Sequence, residues 1–393
     1  MEFSAPTPVA LEVDLSAVET NVRAIRAHVG NRTALCAVVK ADGYGLGAST
    51  VARAALAAGA ACTAVARVRE AVALREDGIV SPILLIAGFA ADEAEELVHY
   101  RVTPTLVQID DVLTVAAHAA RARRIVPVHL KVDTGLNRYG ARAREVLALA
   151  NTITASPWLR LAGLYTHLAT ADEEDTAFVT AQLDEFSRIR TLLEADAIVP
   201  PLVHAANTAA ALRFPRARFD LVRVGMALTG NTPSPYVARL PRMRSAVALR
   251  AQILRSFTVQ PGQSVGYGRT FEATRPVRAA LLGAGYADGL ARSVARNGGY
   301  VLIRGRRAPL MGNVSMDQAV VDVSDIPSVS PGDAATLIGT DGRAEISLAQ
   351  FAEWSDTISH EALCRIGPRV PRVTLRGADA RQRLPRAEPV PLR

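Results

Sequence analysis

Eight short apolar runs alternate with helix-like segments between about residues 34 and 228. The segments between the runs place apolar residues three and four positions apart, which is the spacing of a helix with one buried face. Apolar runs that alternate with such helices are typical of parallel strands buried on both faces. The runs are LCAVVKA, ACTAVAR, PILLIAG, PTLVQ, VPVHLKVDT, LAGLYTHLA, PLVHAANT and FDLVRVGMAL. Eight repeats favour a closed (β/α)8 barrel over residues 1–240, with an open doubly wound sheet as the alternative.

The pattern changes after about residue 240 to short alternating segments separated by turn signals. Examples of these segments are QPGQSVGYG, RNGGYVLIRGRRAPL, SPGDAATLIG and TDGRAEI. Period-two alternation broken by Gly, Pro and Asp predicts antiparallel strands. We therefore expect a mostly antiparallel β domain over residues 241–383, followed by a disordered tail over residues 384–393.

Composition is that of a globular protein, with 49% hydrophobic and 21% charged residues in a chain of 393. No apolar run is long enough to span a bilayer, and the first residues lack the basic and apolar regions of a signal peptide. We expect a cytoplasmic protein without membrane contact. Three cysteines without paired spacing argue against a disulfide framework and against a zinc site, so no metal is expected.

The net charge of +7 raises the question of nucleic acid binding. The arginines are spread along the whole chain, however, and aromatic residues make up only 5% of it. A nucleic-acid-binding arm would concentrate its basic residues. We therefore expect no nucleic acid partner and a small anionic molecule instead.

Lysine is almost absent from this basic chain, because 43 of its 45 cationic residues are arginine. The two lysines are Lys40, in AVVKADGYGLG, and Lys131, in HLKVDTG. Arginine stays protonated, whereas a lysine amine can lose its proton and attack a carbonyl carbon. Lys40 is therefore a candidate nucleophile, while an ordinary solvated cation is the alternative interpretation of either lysine.

Polar side chains lie at the ends of five of the eight predicted barrel strands. Ligand sites of such barrels lie at the carboxyl ends of the strands. A single buried histidine is usually a core residue and DTG is usually a turn, but a cluster at so many strand ends indicates a site. Its members are Lys40, Tyr44, Lys131, Asp133, Arg138, His167, His204, Asn207, Thr208, Arg223 and Gly225.

Nine segments in the same order resemble the alanine racemases, a family of fold-type III enzymes that depend on pyridoxal 5'-phosphate. The segments are AVVKADGYGLG, HLKVDTGLNRYG, GLYTHLATAD, HAANTAA, DLVRVGMALTG, VGYGRTF, GAGYADGLAR, GNVSMDQ and LCRIGPRVPRV. Together they cover roughly residues 10–375. The resemblance implies a (β/α)8 barrel followed by a β domain, and an isomerase that interconverts L-alanine and D-alanine by a two-base mechanism.

The resemblance also implies a role for each barrel residue. Lys40 would bond covalently to the cofactor and act as the base on the D face of the substrate. Arg223 would face the pyridine nitrogen, and because it keeps its protons it would suppress transamination. The remaining cofactor-binding residues would be Tyr44, His167, Asn207, Thr208, Gly225 and His360, with the phosphate held chiefly by Tyr44, Thr208 and Gly225.

On the L face the resemblance implies Tyr267 as the base. A free phenol has a pKa of roughly 10, so it needs activation, and His167 between Tyr267 and Arg223 would orient it. Lys131 would carry a carbamate that holds Arg138, although pairing with Asp133 is the alternative. Arg138 would bind the substrate carboxylate, and the substrate entrance would be lined by Met316, Asp317 and Tyr286.

Because Tyr267 and SMDQ belong to the second domain, the resemblance implies a homodimer whose active sites combine residues of both subunits. Two positions depart from the family pattern: Ser315 replaces Cys, and His360 replaces a Tyr near the phosphate. The smaller His360 leaves room, so serine or another small amino acid is an alternative substrate. A decarboxylase or aldolase of the same architecture, or a protein that holds the cofactor without turnover, would also fit the barrel residues. A bacterial alanine racemase would supply D-alanine for the cell wall.

Overall fold

The computed structural model describes residues 7–377, and these residues fall into two compact units. Residues 18–244 form the first unit. Residues 7–17 and 245–377 form the second unit. The strands and helices are numbered below in chain order.

The first unit is a parallel barrel. β2 to β5 pair in sequence order, β6 to β9 do the same, and β10 pairs back with β2. Pro104 lacks an N–H and separates β5 from β6 within one extended segment. Arg223 N–H donates to the Ala206 carbonyl at 2.9 Å, which joins the last strand to the segment after β9. The strands are β2 (Ala34–Val38), β3 (Cys62–Val65), β4 (Ile83–Leu85), β5 (Val102–Thr103), β6 (Thr105–Leu106), β7 (Val126–Lys131), β8 (Leu159–Tyr165), β9 (Val203–His204) and β10 (Leu221–Val224).

All eight apolar runs contain strands of this barrel, so the predicted (β/α)8 architecture is confirmed. The helices between them bury one apolar stripe: in α6 the buried residues are Val112, Val115 and Ala119. The helices are α1 (Leu15–Val29), α2 (Lys40–Gly45), α3 (Ala48–Ala57), α4 (Val68–Glu76), α5 (Ala94–His99), α6 (Ile109–Arg121), α7 (Val146–Ala155), α8 (Ala177–Ala195) and α9 (Thr208–Arg213). Short 3-10 turns span Ala91–Glu93, Ala143–Glu145, Pro215–Ala217 and Met226–Thr229.

The second unit is built on antiparallel strands, as expected. Six of them, β11, β14, β17, β16, β15 and β18, pair in that order, and β18 pairs with β11 to close the ring. The strands of this unit are β1 (Val9–Asp14), β11 (Val247–Val259), β12 (Ser264–Val265), β13 (Phe271–Glu272), β14 (Val277–Leu282), β15 (Tyr300–Ile303), β16 (Arg306–Met311), β17 (Ala319–Asp322), β18 (Ala334–Asp341), β19 (Ala344–Ile346) and β20 (Arg372–Leu375). The helices are α10 (Arg292–Arg296), α11 (Leu348–Trp354) and α12 (Ser359–Cys364), with 3-10 turns at Tyr267–Arg269 and Tyr286–Asp288.

The first strand lies in a different unit from the one that the sequence pattern indicates. The pattern places residues 1–240 in the barrel, but β1 pairs antiparallel with β11 and parallel with β20, both of which belong to the β unit. A short apolar run carries no information about partners more than 200 residues away. The expected tail, residues 384–393, lies outside the described residues.

Candidate functional site

Lys40 begins a left-handed helical turn just after β2. Residues 41–44 all have positive φ, between 51° and 65°. For a residue with a side chain this conformation costs roughly 1–2 kcal/mol, so such a turn persists only where contacts hold it. The Asp42 carboxylate accepts from Ala48 N–H at 2.8 Å, and the Asp42 carbonyl accepts from Gly47 N–H at 2.9 Å. These contacts keep Lys40 at the carboxyl end of β2.

Glu70, the third residue of α4, also holds this turn. One carboxylate oxygen accepts from Ala41 N–H at 2.6 Å, directly after Lys40. The other oxygen accepts from the N–H groups of Ala66 and Arg67 at 2.9 and 3.0 Å, which caps the helix. A single side chain therefore connects the start of α4 to the backbone that carries Lys40.

The turn brings Tyr44 against Gly225 at the end of β10. A Cβ atom at position 225 would overlap the Tyr44 hydroxyl and ring, so the close approach requires glycine. Gly225 N–H donates to the Thr208 hydroxyl at 3.2 Å. Asn207 caps α9 by accepting from Ala210 N–H at 3.0 Å. Two hydroxyl groups and the backbone around Gly225 thus converge on one small region.

Arg223 is buried at the centre of the barrel's carboxyl end. Its Nη1 contacts His204 Nδ1 at 2.8 Å. Its Nη2 donates to the carbonyls of Thr166 and Ala205 at 3.0 and 3.2 Å and contacts His167 Nδ1 at 3.1 Å. Burial and the Arg223 charge lower the pKa of His167 well below its usual value, so this imidazole is neutral and can accept from the guanidinium.

A second histidine continues the contacts of His204. His204 Nε2 lies 3.0 Å from His129 Nδ1. The Tyr165 ring stacks on the His204 ring, with 4.5 Å between the ring centroids. Burial, with a contribution from Arg223, lowers the pKa of His129 to about 3 and that of His204 well below the normal range. Both rings are therefore neutral, and Arg223 carries the positive charge of this group.

Lys131 lies at the end of β7 and is only 4% exposed. Burial lowers the pKa of its amine to about 7, and the charges of Arg223, Arg138 and Lys40 act in the same direction. Asp133 opposes this shift. The Lys131 amine is therefore far more readily deprotonated near neutral pH than an ordinary lysine, which makes it a nucleophile under mild conditions.

The carboxylate of Asp133 shapes the loop that carries Arg138. It accepts from Gly135 N–H at 2.8 Å and from Asn137 N–H at 3.1 Å. Arg138 itself is exposed on this loop. The Asp133 carboxylate therefore organises a turn, while its charge raises the pKa of Lys131.

The β unit carries its expected site residues on exposed turns. Tyr267 is 72% exposed, and its carbonyl accepts from the Asn313 side chain at 2.8 Å. Tyr286 N–H donates to the Ser315 carbonyl at 3.0 Å, so the Tyr286 turn is attached to the loop that precedes Met316. Tyr286 and Met316 are both partly exposed. The 313–316 loop therefore supports all three of the expected residues on these turns.

Arg369 fastens the same loop from the other side. It binds the buried Asp288 carboxylate through two nitrogens, at 2.8 and 3.0 Å, and donates to Asp317 at 2.7 Å. Asp317 is thus held by an ion pair within the β unit. His360 lies half-buried in α12.

Most of the barrel residues that the sequence indicated lie in one connected region. Tyr44, Gly225 and Thr208 are in contact, Arg223 contacts His167, and the charges of Lys40, Arg138 and Arg223 act on Lys131. The β unit carries the remaining predicted site residues, which are Tyr267, Tyr286, Met316, Asp317 and His360. The predicted site residues did not include His129, Tyr165, Glu70 and Arg369, although a histidine and a tyrosine on apolar barrel strands were a usable signal.

Within residues 7–377, no helix has the length and apolarity required to cross a membrane. In the same part of the chain, no cluster of three or more His, Cys, Asp or Glu side chains is arranged to hold a metal ion.

Comparison with known proteins identifies relatives along nearly the whole chain. Residues 13–233 match the family model "Alanine racemase, N-terminal domain", and residues 246–374 match "Alanine racemase, C-terminal domain". An alanine racemase from Synechocystis is 38% identical over 366 residues, which is 93% of this chain and 98% of the relative.

Solved structures agree with these sequence matches. Alanine racemase from a D-cycloserine-producing Streptomyces lavendulae superposes with a TM-score of 0.91 at 36% identity, covering 96% of this chain and 99% of that one. The Bacillus anthracis alanine racemase with bound L-Ala-P has a TM-score of 0.88 at 33% identity and covers 96% of each chain.

Proposed function

Because the chain belongs to the alanine racemase family, we propose that its barrel unit binds pyridoxal 5'-phosphate and uses it to racemise alanine. The protein is an isomerase that interconverts L-alanine and D-alanine. The observation that carries the proposed site is the placement of Lys40, the Tyr44–Gly225–Thr208 region and Arg223 at the carboxyl end of one barrel.

The residues present fit this cofactor. Lys40 supplies an amine that can bond to the cofactor's aldehyde. The hydroxyls of Tyr44 and Thr208 can donate to a phosphate beside the backbone of Gly225, where the lack of a Cβ leaves room for the Tyr44 hydroxyl. Asn207 orders the start of α9 beside them, and His360 supplies a further donor. When bound, the cofactor withdraws electrons from the substrate's α-carbon, which makes its proton removable.

Arg223 faces the ring nitrogen in this proposal. Its terminal nitrogens already donate to carbonyls and imidazoles, which supports a fixed orientation. Guanidinium does not give up its proton, so it does not protonate the ring nitrogen and electron withdrawal stays weak. This weakness limits transamination as a side reaction.

Two bases move the α-proton in the proposed reaction. Lys40 removes or returns it on the D face, and Tyr267 does so on the L face. Tyr267 is supplied by the partner subunit of a homodimer, and His167 orients it. The high exposure of Tyr267 in the described chain supports such a role at a subunit boundary.

Arg138 binds the substrate carboxylate in this proposal. Lys131 carries a carbamate, whose negative charge holds Arg138. The lowered pKa of the Lys131 amine supports this modification, because carbon dioxide reacts only with the neutral amine. Met316, Asp317 and Tyr286 line the entrance for the amino acid. The enzyme works in the cytoplasm and supplies D-alanine for the bacterial cell wall.

To test the proposed reaction, the purified protein is supplied with pyridoxal phosphate and incubated in heavy water with a mixture of L-amino acids. Chiral separation should show D-alanine as the main product, with deuterium at its α-carbon. D-serine as the main product would support the alternative specificity suggested by His360. If no amino acid exchanges its α-proton, the proposed two-base reaction is wrong.

A further inference from the structure

A line of three buried side chains crosses the barrel from β7 to β10. His129 lies on β7, His204 on β9 and Arg223 on β10. His129 Nδ1 is 3.0 Å from His204 Nε2, and His204 Nδ1 is 2.8 Å from Arg223 Nη1. Each of the three residues is at most 5% exposed. The line ends at the guanidinium that the proposed function places against the cofactor.

The direction of each hydrogen bond follows from chemistry. Guanidinium has only donors, so His204 Nδ1 must accept from Arg223. A neutral His204 therefore carries its proton on Nε2 and donates it to His129 Nδ1. His129 is then the acceptor that keeps the His204 proton on Nε2. The opposite tautomer of His204 would point an N–H at the guanidinium.

The fold makes room for His129 at a particular residue of the intervening strand. Gly163 lies on β8, between β7 and β9. A Cβ atom at Gly163 would stand 2.7 Å from His129 Cε1 and 2.8 Å from both ring nitrogens. The imidazole thus occupies the space that a side chain on β8 would take, which allows it to reach His204. Tyr165 stacks on the His204 ring, with the two ring centroids 4.5 Å apart.

We propose that His129 is a positioning residue that fixes the tautomer of His204 and thereby holds Arg223 in its orientation. Its consequence for racemisation rests on the proposed function, but the tautomer does not. Without an acceptor at position 129, the buried His204 Nε2–H loses its partner, so the ring rotates or changes tautomer. Either change withdraws the acceptor from Arg223 Nη1.

The first test observes the histidine tautomers in the full-length protein labelled with ¹⁵N at its seven histidines. In the wild type, His204 should show a protonated Nε2 and an unprotonated Nδ1. His129→Asn places an amide oxygen close to the position of Nδ1 and should preserve this pattern. His129→Leu should shift or broaden the His204 signals. An unchanged His204 pattern in His129→Leu would overturn the proposal.

The second test uses the protein loaded with pyridoxal phosphate. His129→Leu should lower kcat for alanine by about tenfold, with KM changed less than about twofold, because Arg223 does not bind the substrate in this proposal. It should also raise conversion of the cofactor to its pyridoxamine form per turnover. His129→Asn should restore both values to within about threefold of the wild type.

The outcomes separate the two proposals. If His129→Leu and the wild type share the same kcat and the same pyridoxamine yield, His129 does not position Arg223 for catalysis. If the wild type itself exchanges no α-proton, the proposed function fails, while the tautomer measurement still decides the role of His129. Should His129→Leu not fold, a tautomer change in His129→Asn would contradict the acceptor role.

Discussion

Lys40 and Lys131 differ from the surrounding arginines in chemistry that arginine cannot perform. Lys40 lies beside a left-handed turn at a strand end, and Lys131 is buried among positive charges. A lysine amine can lose its proton and act as a nucleophile, whereas a guanidinium cannot. Because the chain has only two lysines, each can be tested by a single substitution with the other lysine as its control.

Lys40→Arg should abolish the visible absorption band of the protein incubated with pyridoxal phosphate, because guanidinium does not bond to the aldehyde. Alanine racemisation should fall by at least about a thousandfold. Lys131→Arg is the matched control, since it replaces the only other lysine and should retain the band. A persistent band in Lys40→Arg would remove this lysine from the proposed site.

Lys131 should make stability depend on pH in buffer stripped of carbon dioxide. Its pKa is about 7 in the folded chain and near 10.5 when unfolded, so the unfolded chain binds the extra proton between these values. Stability therefore rises with pH from about 7 upward, by up to about 1.4 kcal/mol per pH unit. Denaturant unfolding of the wild type and Lys131→Met from pH 6 to 9 measures the difference, which would stay flat if the pKa were normal.

At the scale of single elements, α2 is the segment that the sequence pattern described least well. Four consecutive residues with positive φ follow the proposed nucleophile, and three of them are not glycine. Glu70, Asp42 and the Tyr44–Gly225 contact hold this conformation from three directions. The turn is stable only because neighbouring elements supply those partners.

Glu70→Ala should destabilise the protein by about 1–3 kcal/mol, because Ala41 N–H loses its acceptor and α4 loses its cap. It should also weaken binding of pyridoxal phosphate, since the backbone beside Lys40 is released. Glu70→Gln keeps one acceptor oxygen and should show a smaller loss of both. Denaturant unfolding and cofactor titration measure these quantities.

Glu93→Ala is the control for this experiment. The Glu93 carboxylate caps a surface turn by accepting from Ala90 N–H at 2.7 Å. Its removal should cost stability without changing cofactor affinity. Equal effects of the two substitutions on affinity would show that Glu70 is only a helix cap.

At the scale of the whole molecule, the proposed site residues are divided between two units. The barrel carries the proposed cofactor site, and the β unit presents Tyr267, Tyr286 and Met316 on exposed turns. The proposed homodimer combines a barrel from one subunit with these turns from the other. Such an arrangement makes the activity of a subunit depend on its partner.

Mixing Lys40→Arg with Tyr267→Phe should restore activity that neither variant has alone. In a mixed dimer, one site carries both substitutions and the other carries neither. Random exchange at equal amounts should therefore recover about a quarter of the wild-type activity. Chiral chromatography of the alanine product after denaturation and joint refolding measures this recovery.

Lys40→Arg mixed with Lys40→Met should recover nothing, because each site then lacks the lysine. Recovery below about 2% for the first pair would contradict an active site shared between subunits. Full activity of a monomeric form of the wild-type protein would also contradict a shared active site.

Much of the fold could be predicted because each barrel strand has a recognisable local sequence pattern. The sequence shows eight apolar runs, segments of helical period between them and polar residues at their ends. These features can be recognised without knowing which strands pair in the fold. The predicted domain boundary did not account for β1, which pairs with strands of the β unit. Most of the chain separates β1 from those strands. His129, Glu70 and Arg369 were missed for the same reason, since each acts through a contact distant in sequence.

The sequence by itself determined the two architectures, the family and the candidates for reactive chemistry, because these depend on local period and residue type. Only the tertiary structure decided the left-handed turn beside Lys40, the lowered pKa of Lys131 and the line from His129 to Arg223. Those properties arise from burial and from hydrogen bonds between strands far apart in the chain. No local pattern of polar and apolar residues contains that information, because the same histidine or lysine on an apolar strand has many possible neighbours.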